Sequence, residues 1–355
     1  MNASGSDNPG DEGARILALY GARLRRRALL VGGLGALAVL GLLLDMMTGP
    51  AGLTAAQIWA ALTWGDAERA VQVIVWQVRL PVALMAVCVG AALSLAGAEM
   101  QTILDNPLAS PFTLGVSAAA SFGAALAIIL GLGLSFAPAG VAVSVNAFLF
   151  AFGSVLLLQA LARRAGGGQE ALVLCGIALV FTFNALLALV QFLGTADALQ
   201  QFVFWSMGSL ARADMRAVVA MGAVIAVTLP FSLAASWRMT ALRLGSERAA
   251  SFGINVGRLR FLSLLRASLL ASTAVAFVGV IGFVGLVGPH IARMLIGEDH
   301  RFFLPASALT GAVVMSFASI VSKMATPGVV LPVGLVTSLI GLPVFLALIL
   351  RRRQT

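Results

Sequence analysis

The chain has 355 residues, of which 60% are hydrophobic and 10% charged, and its mean hydropathy is +1.01. A soluble globular protein carries roughly 25% charged residues, so this chain has too little polar surface to cover itself in water and reads as a polytopic membrane protein. Its net charge of +9 does not point to nucleic acid. The basic residues sit in short clusters between long apolar runs, and no basic face carries the aromatic side chains that stack on bases.

Residues 1–14, rich in Gly, Ser, Asn and Asp, predict a disordered start to a cytoplasmic tail, 1–27, that ends in Arg23-Leu24-Arg25-Arg26-Arg27. No small-residue cleavage site follows, so the Arg cluster introduces a first span rather than a signal peptide. A hydrocarbon core about 30 Å thick needs about 20 apolar residues per helix. Runs of that order fall at 28–47, 83–104, 114–134, 141–162, 171–193, 217–236, 261–281, 282–296, 304–323 and 335–350. They predict an all-α transmembrane domain, 28–350, of ten helices, followed by a short cytoplasmic tail, 351–355. No polar loop separates 261–281 from 282–296, so Gly282 predicts a tight turn into a partly broken helix. So aliphatic a composition excludes a membrane β-barrel, whose strands alternate apolar and polar residues.

Of the 23 basic residues, five (Arg69, Arg79, Arg212, Arg216 and Lys323) fall on one side of this ten-helix arrangement and eighteen on the other. The positive-inside rule makes the richer side cytoplasmic and places both termini there. Three connections stand out. External residues 48–78 include Thr54 to Trp64, a short interfacial helix with Trp anchors. External residues 194–216 place Trp205 at membrane level. Internal residues 237–260 read as two short amphipathic pieces broken at Gly245 and Gly253, a pattern that suits either a docking element or an ordinary solvated loop.

Residues for chemistry are scarce. Lys323 is the only lysine and stands in no G-x-x-x-x-G-K-[ST] loop. There is no zinc-protease motif, no C-x-x-C pair and no Ser/His/Asp set, so no catalytic and no metal-ligating residue is assigned. Cys88 and Cys175 lie in distant apolar segments and read as buried thiols. His290, after Pro289, reads as a packing or hydrogen-bonded histidine, and His300, among Glu298, Asp299 and Arg301, as part of a solvated charge cluster. Glu99 lies in the second span, where a charge costs about 2.5–3.5 kcal/mol to insert. A proton-coupled site and a polar packing contact both fit. The lack of a second mid-membrane acid favours packing, with Glu99 protonated or hydrogen-bonded to Gln101 or Asn106. Asp45, near the external interface, needs no special account.

Several stretches, taken in order from about residue 75 to 350, resemble the membrane permeases of ABC importers for ferric siderophores, haem and vitamin B12. They are Gln77-Val-Arg-Leu-Pro81, Val89 to Gly97, Gln101, Asn106-Pro-Leu-Ala-Ser-Pro111, Leu114 to Ser117, Leu244-Gly245, Ile281 to His290, Asp299-His-Arg301, Leu331 to Gly334 and Gly341 to Phe345. Two features bear on mechanism directly. Pro107 and Pro111 stop a helix and free backbone groups that only protein or water can satisfy. Gly282, Gly285 and Gly288 recur every third residue and leave one helix face bare for close approach.

The resemblance implies an importer permease of a bacterial inner membrane, paired with a second copy or a homologous permease. It implies two cytoplasmic ATPases that use the ATP, with no cofactor on this chain, and an external binding protein that delivers the cargo, a ferric siderophore or, alternatively, haem or cobalamin. A proton-driven carrier using Glu99 is the alternative from another class. The resemblance makes 237–260 the coupling element, centred on Leu244, Gly245, Glu247, Ala249 and Gly253. It makes Asn106, Pro107, Gly282, Gly285, Gly288 and Pro289 pathway or gating residues. Arg79 and Lys323 become docking residues for the binding protein. The second arginine of the family's docking pattern is Val82 here, for which Arg69, Arg212 or Arg216 are substitutes.

Overall fold

The structure, a computed structural model, describes residues 9–63, 67–133, 138–326 and 328–352. Trp64, residues 1–8 and Arg353 lie outside the described residues. The first helix, α1 (Pro9–Met47), starts earlier than the expected span and carries Arg23 to Arg27 within it. Once the apolar part has nucleated, the Ala, Leu and Arg residues before it extend the helix at little cost. After α2 (Ala55–Leu62), α3 (Arg69–Val73) runs through a π-helical turn (Ile74–Arg79) into α4 (Leu80–Ile103). Pro81 has no N–H to offer the preceding turn, and the ladder absorbs that gap by widening to π geometry.

The chain continues through α5 (Val116–Ile129), α6 (Ala139–Arg164), α7 (Gln169–Phe192), α8 (Ala196–Ser206), α9 (Met215–Ala234), α10 (Ser236–Leu242) and α11 (Ser246–Ser251). It closes with α12 (Val256–Val278), α13 (Val284–Ile296), α14 (His300–Met324) and α15 (Val333–Arg352). α4 is the axis of the bundle, with α14, α12, α13 and α9 packed around it. Its apolar window is 72% buried, whereas that of α7 is only 22% buried, so α7 shows most of its surface to lipid or a partner.

Seven of these helices are long and apolar enough to cross a membrane, and three shorter apolar helices (Val116–Ile129, Val284–Ile296 and Val333–Pro343) accompany them. Each of the ten overlaps one of the runs expected from sequence. The short ones matter most for function. A helix of 13 residues such as α13 rises only about 20 Å, less than the hydrocarbon thickness. Each short helix is preceded by non-helical backbone, at 104–115, at 279–283, and at 325–326 and 328–332. Such backbone survives at membrane depth only where protein or a water-filled cavity satisfies it.

Candidate functional site

The three interrupted segments converge. Ser110, Phe112 and Thr113 from the first, Val280, Gly282 and Phe283 from the second, and Gly334, Leu335 and Ser338 from the start of α15 line one cavity of about 310 Å³. Leu286 of α13, with Ser206 and Met207 at the end of α8, completes the wall. No lining side chain is charged, so the cavity has no acid, base or nucleophile with which to transform a molecule. Phe283, at the entrance to α13, has φ +65, an uncommon conformation for a residue with a side chain. Its ring packs where a Cβ on Gly341 would have to sit. A strained residue in a cavity wall is the kind of position that switching elements use.

The expected gating residues divide into four groups. Gly285 and Gly288 do give α13 a bare face. A Cβ on Gly285 would meet the Leu93 carbonyl at 3.0 Å, and one on Gly288 would overlap the Ser94 hydroxyl. Gly282 does not belong to that face. α12 stops at Val278 rather than at 281, which leaves Gly282 in the turn, with only Ser338 within 4 Å of an added Cβ. Asn106 and Pro107 lie off the cavity. The Asn106 side-chain oxygen accepts from the Leu108 amide at 2.9 Å, which closes the turn that sends Ser110 to Thr113 into the wall.

Pro289 acts through its missing N–H. Inside α13 it leaves the carbonyl of Gly285, four residues earlier, without its helical donor. Gln101 Nε2 donates to that carbonyl at 3.4 Å, and Gln101 Oε1 accepts from Arg293 Nη2 at 3.2 Å.

Glu99 is fully buried, but its partners are not Gln101 or Asn106. Arg266 of α12 grips it with a two-pronged contact, Nε to Oε1 at 3.1 Å and Nη2 to Oε2 at 2.8 Å. Ser232 of α9 donates a short hydrogen bond to Oε1, and Ser263 accepts from Arg266 Nη2 at 2.9 Å. The signal was present in the sequence, because Arg266 stands inside the apolar run 261–281. Assigning it to the cytoplasmic side hid the pair.

The two expected docking cations are spent inside the protein, which corrects the surface role given to them. Arg79 is 4% exposed and donates to the Met46 and Met47 carbonyls at 3.0 and 3.2 Å, the open end of α1. Lys323 donates to Asp45 Oδ1 at 2.8 Å and to the Asp45 carbonyl at 3.2 Å, while Ser319 donates to Asp45 Oδ2 at 3.0 Å. Asp45 is therefore not an interfacial bystander but a fully buried carboxylate that pins α1 to α14.

Removing one partner of such a pair leaves an uncompensated buried charge, at about 3–5 kcal/mol. Lys323→Gln is thus expected to lower the detergent melting temperature, and Asp45→Asn in the same chain to recover most of the loss. A Lys323→Gln protein that melts like the parent but binds an external partner weakly would restore the docking role. Arg69, Arg212 and Arg216 are all exposed at this end. Arg212 donates to the Trp205 and Val278 carbonyls at 3.1 and 2.8 Å, and burial pushes its guanidinium down to about 10.

At the opposite end, α10 and α11 form the 237–260 loop. Gly245 has φ +102 and Gly253 φ +80, so the two breaks expected from sequence are backbone turns that favour glycine. Leu244, Glu247 and Phe252 are exposed, whereas Ala249 is fully buried and packs into the bundle rather than on the outer face. His300 is not solvated. It is 1% exposed and stands between the hydroxyls of Thr102 and Thr240 at 2.8 and 3.1 Å. Its neighbours do form a charge cluster. Asp299 binds Arg27 and Arg301 at 3.0 and 2.9 Å, and Arg243 binds Glu298 at 2.5 Å. Hydrogen bonds from the Arg301 side chain hold the Asp299 carboxyl below the usual carboxylate range.

The FecCD transport family matches residues 37–351, nearly the whole membrane domain. The chain belongs to this family. It is 36% identical over 314 residues to the hemin transport system permease of Yersinia pestis, covering 88% of this chain and 94% of that one. It is 35% identical over 331 residues to the ferric enterobactin permease of Escherichia coli, covering 92% and 97%. Among solved structures, it is similar to an inward-facing transporter described as of the metal-chelate ABC type, with a TM-score of 0.81 and 31% identity over 91% of this chain and 99% of the other. This FecCD chain is therefore a multi-pass membrane permease, the transport subunit of an ABC importer rather than an enzyme. A permease of this kind works with ATPase and substrate-binding partners. The proton-driven alternative falls with the family assignment, and Glu99 is an internal ion-pair partner.

Proposed function

We propose that this FecCD chain passes a ferric siderophore across a bacterial inner membrane, with an external binding protein delivering the cargo. Haem is the alternative cargo, favoured by the hemin permease relative, with cobalamin behind it. The observation that carries the reading is the uncharged cavity where three interrupted helices meet. Its volume of about 310 Å³ is at the small end of the roughly 300–1,000 Å³ of ligand pockets. A bulky chelate needs a wider passage than this cavity, and a second copy, identical or homologous, supplies the facing wall. The exposed stripe Leu174, Phe181, Leu189 and Phe192 on α7 is available to that copy or to lipid.

The end that carries 237–260 faces the cytoplasm in this reading, with both termini beside it and ten spans in all. Two ATPase subunits seat on the exposed surface of Leu244, Gly245, Glu247 and Phe252 and bind the ATP; this chain holds no cofactor. At the other end, Arg69 and Arg216 take over the attraction for an acidic binding protein. In the assembled transporter, Gly245→Leu is expected to lower co-purification of the ATPase, because φ +102 disfavours a side chain there, while the variant still inserts and folds. ATPase recovered at the parent level would overturn this placement of the contact.

A further inference from the structure

The 237–260 loop is tied to the last turn of α4 at two separate places, each through one planar side chain. Arg260, near the start of α12, donates from Nη2 to Ser246 Oγ at 2.9 Å and from Nε to the Ile103 carbonyl at 3.2 Å. Ile103 ends α4, so that carbonyl has no helical donor of its own. His300 opens α14, with Nδ1 3.1 Å from Thr240 Oγ1 on α10 and Nε2 2.8 Å from Thr102 Oγ1 on α4. Its backbone N–H donates to the same Thr240 hydroxyl at 3.1 Å.

Ser246 and Thr240 stand on the two helices of the loop, while Thr102 and Ile103 are adjacent residues of α4. A guanidinium or imidazole bonded at two edges holds its partners at a set separation, which a flexible chain would not do. Just beyond these anchors the backbone turns through Asp105, at φ +45, and Asn106, and then supplies Ser110 to Thr113 to the cavity wall. An exposed ion pair, Arg243 to Asp105 at 3.4 Å, lands on the same turn.

We propose that Arg260 and His300 are positioning residues that carry a displacement of the 237–260 loop to the end of α4 and, through 104–115, to the cavity. This rests on the reading that the ATPase seats on that loop. If the two residues only cap and pack, the cavity responds to nucleotide without them.

The test uses the complete transporter in nanodiscs, with Cys88 and Cys175 replaced by Ala and one cysteine placed at Ser338 in the cavity wall. The rate of maleimide labelling is measured with and without ATP and vanadate, and ATPase co-purification and hydrolysis are followed in parallel. In this parent, nucleotide should change the labelling rate about 5-fold or more, as ordinary coupling does. Arg260→Met removes both hydrogen bonds but keeps the apolar stem, and the ratio is expected to fall towards unity while the ATPase stays bound and active. Thr102→Val should do the same from the His300 side, and Thr102→Ser should restore the response.

A parental ratio in Arg260→Met overturns the relay, whatever Thr102→Val does. Loss of the ATPase from Arg260→Met also overturns it, because Arg260 would then belong to the docking surface. An ATPase that stays bound when Gly245 is replaced sinks the docking reading instead, and a parent with no nucleotide response sinks both.

Discussion

Replacing Glu99 with Gln is expected to be among the most damaging single changes in this chain, although it alters no shape. Gln keeps acceptors for Ser232 but leaves the Arg266 guanidinium, 12% exposed, with no compensating charge at 2.8 Å. Breaking one side of a buried pair costs about 3–5 kcal/mol, whereas replacing both partners by apolar residues of similar volume is often neutral or stabilising. Glu99→Gln should therefore lower the detergent melting temperature and the yield of folded protein, and Glu99→Leu with Arg266→Met should return both towards the parent. The melting curves of both singles and the double variant decide the point as a double-mutant cycle. Parental melting of both single variants would mean that the ion pair holds nothing together.

The second large effect is steric. A Cβ on Gly97 would overlap the carbonyl of Gly285, and one on Gly90 the carbonyl of Gly311, so α4 touches α13 and α14 backbone to backbone. Overpacking a close-fitted core usually costs about 1–3 kcal/mol, and here the obstacle is main chain, which cannot rotate away. Gly97→Ala should destabilise the bundle by at least that amount, and Gly97→Leu should prevent assembly. Gly153, in the middle of α6, has nothing within 4 Å of an added Cβ. Gly153→Ala should then stabilise by about 0.5–1 kcal/mol through helix propensity alone. Equal melting shifts for Gly97→Ala and Gly153→Ala would show that the contact between α4 and α13 is looser than drawn.

Sequence alone located the apolar runs on which the long helices form, though not their ends. The reason is thermodynamic: a span must be continuously apolar over the membrane thickness, and that requirement is written locally, residue by residue. The same local logic located the breaks at Asn106-Pro107, Gly245, Gly253 and Gly282, because proline and glycine act on their own backbone. Summing the physics over neighbours in the chain was enough for these, and the ordered motifs supplied the family.

Tertiary structure decided everything that depends on which helices meet. Glu99 and Arg266 stand 167 positions apart, and Asp45 and Lys323 stand 278 apart. A charge count by side sees where a residue lies along the chain but not what its side chain reaches. For that reason Lys323 and Arg79 read as free surface cations until the carboxylate and the carbonyls they hold were in view. His300 read as solvated for the same reason: Glu298, Asp299 and Arg301 surround it in sequence, whereas Thr102 and Thr240 enclose it in space. The open carbonyl below Pro289 could be inferred from sequence, but its donor, Gln101, could not. Glu99, Asp45 and His300 each find a partner on another helix, and only packing determines which one.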